Sequence, residues 1–147
     1  VAATSAPAVK AALLTLMRAT GSLSDVQLEY AHPGATIQQE YVFYHKTSER
    51  EKAAALGRKR RDEDYVIELI VGVARDGNDA QAAEERCWAI VSIIENLVRL
   101  NPGQAGDVME GIVSGWVVWG GAEMTPLIEA GQRLAEAVCR VEVKHRK

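Results

Sequence analysis

The chain has 147 residues, 48% of them hydrophobic and 25% charged, with a formal net charge of -3. That length accommodates one domain with a real core but not two, and the mildly acidic balance gives no electrostatic argument for nucleic-acid binding by the whole surface. No apolar run approaches the ~18 residues needed to span a bilayer. Lys10 and Arg18 interrupt the N-terminal segment where a signal peptide would be apolar. The first residue is valine, as expected of a chain whose initiator methionine has been removed or replaced.

In chain order, Ser5 followed by Pro7 predicts a helix start. Val9, Ala12, Leu13, Leu16 and Met17 make the apolar stripe of that helix, which ends near Thr20-Gly21. Val26, Leu28 and Tyr30 alternate with Gln27 and Glu29 as a short half-buried strand, and His32-Pro33-Gly34 turns the chain. A second strand is predicted around Gln38 to His45, on the strength of Tyr41, Phe43 and Tyr44. The segment 46–62 breaks this regularity: it is longer than a hairpin needs, dense in charge of both signs, and contains one large apolar residue, Leu56.

The most regular stretch runs from Glu63 to Gly103. Every odd position from Tyr65 to Val73 is apolar, which describes a strand with one face fully buried. Gly77 is free to take a positive φ, Asn78 or Asp79 is placed to cap a helix, and Gln81 suits a capping box. Ala83, Cys87, Ile90, Ile94 and Leu97, widened by Val91 and Val98, mark the buried stripe of a helix from Ala80 that Asn101-Pro102-Gly103 ends. Ile67, Leu69, Ile90 and Ile94 are expected to pack together as the core.

Met109 to Trp119 reads as a glycine-punctuated strand, with Trp116 and Val118 sharing its core face. Gly120-Gly121 reads as a turn, and Pro126 and Gly131 punctuate the next stretch. The tail is ambiguous between helical propensity and strand periodicity. The alternation of Ala135, Ala137, Cys139, Val141 and Val143 with polar residues favours a closing strand. The whole is an α+β fold: a mainly antiparallel sheet of about five strands with two principal helices packed on one face.

Chemistry is sparse. His32, His45 and His145 lie on separate segments without metal-ligand spacing. No phosphate loop, nucleophile elbow or carboxylate pair with a catalytic layout stands out. Glu84-Glu85, beside Arg86, reads as a solvated helix face. Catalytic, cofactor and metal residues are therefore all expected to be none. Cys87 and Cys139 are read as reduced core residues of a cytoplasmic protein. Trp88 is expected beside the helix stripe, and Trp119, next to two glycines, exposed at an interface. The basic run Arg58, Lys59, Arg60 and Arg61 is a candidate for meeting an acidic protein surface, with Leu56 as an apolar anchor; nucleic acid is the weaker reading.

The order and pattern of these elements resemble the tail terminator proteins of long, non-contractile-tailed bacteriophages, the lambda-type group. The features that carry the resemblance are the N-terminal helix, the strand ending at Tyr30-Ala31-His32-Pro33, and the charged insertion leading to Asp64–Val71. The helix opening Gly77-Asn78-Asp79-Ala80 and the last strand, Val138–Lys144, complete them. They span nearly the full chain but include no diagnostic motif. The resemblance implies a single structural domain, 1–147, without enzymatic activity. It further implies a hexameric ring at the head-proximal end of the tail tube, assembled in the host cytoplasm and carried in the virion. The expected partners are other copies of the chain, the tail tube protein and the head–tail connector, with phage DNA passing through without sequence-specific binding. A head-closure or adaptor protein of the neck, or a small α+β ligand-binding or regulatory domain, are the alternatives.

Overall fold

The computed structural model describes residues 4–34, 36–50, 62–77, 79–103, 107–113, 115–129 and 132–146. Two helices, α1 (Ala6–Arg18) and α2 (Ala80–Leu100), accompany five strands. These are β1 (Gln27–Glu29), β2 (Glu40–Arg50), β3 (Asp62–Asp76), β4 (Gly115–Glu129) and β5 (Gln132–Arg146). The sheet order is β1-β2-β3-β5-β4, with β1 parallel to β2 and every other neighbouring pair antiparallel. This is the α+β class and element order that the periodicity predicts.

β3 and β5 pair over their whole lengths, Asp62 with Arg146 through Asp76 with Gln132. The odd residues of β3 from Tyr65 to Val73 lie opposite the odd residues of β5 from Val143 to Ala135, and all are buried. They form one cluster with Val9, Leu13 and Met17 of α1 and Cys87, Ile90 and Ile94 of α2. Both helices therefore cover the same face. Each large side chain in that layer contributes ~1.5–3 kcal/mol of apolar burial.

The helix ends follow local chemistry. Asp79 caps α2, its side chain accepting the Ala82 N–H at 3.1 Å. Gln81 does not close a capping box; its amide donates to Glu85 instead. Ser5 caps α1 without a side-chain bond into the helix; its carbonyl accepts the Val9 N–H at 3.0 Å. Its hydroxyl and its backbone N–H donate to Glu63 Oε1 at 2.6 and 2.9 Å, and the Tyr65 hydroxyl lies 2.8 Å away. A carboxyl from the start of β3 thus fastens the first turn of α1 to the sheet, where the helix dipole favours negative charge. Burial, with a further contribution from Glu63 and against the Ser5 hydrogen bond, pushes the Tyr65 hydroxyl up to about 12. Cys87 and Cys139 are buried free thiols, each pushed up to about 12 chiefly by burial. They pack as small apolar side chains.

Four sequence expectations need correction. Residues 46–50 and 62, assigned to the charged insertion, continue β2 and β3; the remaining positions, 51–61, lie outside the described residues. Met109 to Val113 is not strand. It is a hydrogen-bonded turn that buries Met109 and Val113, while β4 begins at Gly115. Gly120-Gly121 is not a turn but an irregularity within β4, between Trp119 and Ala122. Trp88 is 41% exposed, so it does not join the buried stripe of α2.

Ile94 is fully buried in the cluster shared by α2 and β3. Ile94→Ala is expected to lower unfolding free energy by ~2–5 kcal/mol, read from urea denaturation. A loss below ~0.5 kcal/mol would mean that this helix face is not core.

Candidate functional site

Among the described residues no helix lies on the other face of the sheet, although Tyr41, Phe43, Val66 and Ile70 on it are buried. Alternation along β3 and β5 brings Val66, Glu68, Ile70, Gly72, Leu134, Glu136, Val138 and Arg140 to it. Tyr41 and Phe43 of β2 join them opposite Gly72 and Ile70. Tyr41, Phe43 and Ile70 form a small apolar cluster of their own, with Leu134 and Val138 packed against it. The Tyr41 and Phe43 rings stack at 5.7 Å, and His32 meets Phe43 edge-on at 5.0 Å. The Tyr41 ring lies directly over Gly72, where an added Cβ would fall 2.1 Å from it, and its hydroxyl donates to Glu136 at 3.2 Å. A strand glycine here makes room for an aromatic ring from the neighbouring strand.

This face forms a groove of about 670 Å³ whose lining adds Ile37, His45, Lys46, Glu68, Leu127 and Arg140. Its shape has an identifiable source. The β2–β3 register shifts between Tyr44 and Thr47, so His45-Lys46 stand opposite Glu68. The β4–β5 register shifts between Trp119 and Ala122, so Gly120-Gly121 stand opposite Arg140. Glu68 and Arg140 pair with each other. Two bulges therefore fall at one level on either side of the central ladder, and bulges bend and twist the strands that carry them. The second requires its glycines: Gly121 has φ +100, and a Cβ on Gly120 would lie 3.2 Å from the Arg140 carbonyl.

An ion cluster marks the same row. Arg140 lies 3.6 Å from Glu68 and 3.7 Å from Glu123. One guanidinium thus serves two carboxylates, with Glu136 a third carboxylate on the groove. Beyond the row, Trp116 (40% exposed) and Val118 (38%) lie on the open face, while Val117 and Trp119 point to the helices. The sequence reading of Trp116 and Val118 as core is thus reversed. Trp119, the tryptophan expected at an interface, is half-buried against the core. Leu56, Arg58, Lys59, Arg60 and Arg61 lie outside the described residues.

The structure brings His32 and His45 to one groove although they come from separate segments; His145 pairs with Glu63 and Gly115 at the far end of the sheet. Among the described residues, no group of three or more His, Cys, Asp or Glu side chains is placed to hold a metal. No helix among them is long and apolar enough to cross a membrane.

A second, wholly polar hollow of about 610 Å³ is lined by Asp25, Gln38, Gln39, Glu40, Arg75 and Arg86. Glu40 accepts from Arg75 at 2.6 Å and from Arg86 at 3.1 Å, tying β2 to β3 and α2. Burial acts to raise the Glu40 carboxyl, but the two arginines together outweigh it and hold the group below its ordinary value. This hollow is a structural knot rather than an open receptor, because its cations are already engaged.

No protein-family model and no curated protein matches the chain. Among solved structures, a chain of the "Virion of native gene transfer agent (GTA) particle" is similar, with a TM-score of 0.55 and 19% identity over 97% of this chain and 99% of that one. At that identity the likeness is one of fold.

Two outcomes test this geometry. Gly121→Ala, at its positive φ, is expected to cost ~1–3 kcal/mol by chemical denaturation and to shift amide chemical shifts along the bulge row. For Glu40, a depressed folded pKa contributes stability above the unfolded value that is lost as pH falls through the folded one. Glu40→Gln should therefore flatten the acid limb of stability against pH below its ordinary 4.5 while leaving the alkaline limb unchanged.

Proposed function

We propose that this chain is a structural protein of a phage-like particle, and within it the tail terminator: a ring of copies at the head-proximal end of the tail tube that stops tube growth and presents the surface for head docking. The near end-to-end fold match to a chain of a gene transfer agent virion carries this reading. The resemblance of the element order to that of tail terminators supports the tail end in particular. On this reading the chain has no enzymatic activity and works by assembly.

Assembly into a closed ring needs head-to-tail contacts, in which different surfaces of neighbouring copies meet. Two unlike surfaces are available. One is the open sheet face with its apolar floor and acidic row. The other is the β4 edge on the helix side of the sheet, where Ile128 is 70% exposed; Trp116, Val118 and Leu127 of the same strand belong to the open face. The β4 edge is guarded against uncontrolled strand pairing by its bulge, by Pro126, and by the Pro102 carbonyl, which accepts the Val117 N–H. Side-chain contacts rather than an added strand are therefore the expected mode of association. The same fold would also suit a head-closure or adaptor protein of the neck.

Electron microscopy of the protein mixed with purified tail tubes separates these readings. A cap at one tube end is the expected result. Binding to the head connector with bare tubes would transfer the protein to the neck, and binding to neither would overturn the proposal. Replacing Arg58, Lys59, Arg60 and Arg61 with serine is expected to leave the melting temperature unchanged while weakening capping at physiological salt and giving overlong tails. Normal capping by that variant would make the basic run a solvated segment.

A further inference from the structure

We draw no further inference here: the strongest candidate, the notch of about 220 Å³ that Ala80, Ala83 and Glu84 of α2 form with Ile128 of β4 and Leu134 of β5, is an open recess, and nothing in the structure shows what covers it.

Discussion

The rest of the structure depends on the ladder between β3 and β5. These strands come from the middle and the end of the chain, yet they pair in unbroken register from Asp62–Arg146 to Asp76–Gln132. Because side chains alternate with a period of two, that register sends both sets of odd residues to one face, and a slip of a single residue would send them to the other. Ile67, Leu69, Val71, Cys139 and Val141 make a continuous fully buried layer only in this alignment. Helix α2, which connects β3 to the β4–β5 hairpin, lays its buried stripe on that layer. Loop-closure entropy grows slowly with length, so a cooperative apolar layer of this size readily offsets the separation along the chain.

The same ladder sets the opposite face. Once the odd residues are buried, Glu68, Ile70, Glu136, Val138 and Arg140 are committed to the open side, where no helix follows. The two bulges that flank Glu68–Arg140 act on this central pair from both sides, so curvature and charge are concentrated at one level. A groove over the buried cluster of Tyr41, Phe43 and Ile70 lies on one side of that row, and the exposed Trp116 and Val118 on the other. The contacts of Ser5 with Glu63 and of Arg75 and Arg86 with Glu40 tie both helices to the sheet behind it.

The sequence by itself determined the parts whose signals are periodic and redundant. Odd apolar positions from Tyr65 to Val73 fixed β3 and its buried face, and a helical stripe bounded by Asn78-Asp79 and Asn101-Pro102-Gly103 fixed α2. The alternation from Ala135 to Val143 outweighed helical propensity and gave the closing strand. Only the tertiary structure decided three other matters. Gly120-Gly121 is compatible with a turn or a bulge because both use a glycine at positive φ, and the choice depends on whether a partner strand continues alongside. The run Trp116-Val117-Val118-Trp119 is apolar throughout, so it carries no alternation from which to read a face. Pairing with β5 turned Trp119 inward and left Trp116 outside. The groove was hidden for the same reason: its residues come from β2, β3, β4, β5 and the stretch from His32 to Ile37, and each looks ordinary until the strand order β2-β3-β5-β4 sets them side by side. Local pattern records what a segment will bury, whereas a surface built across strands exists only once register is set.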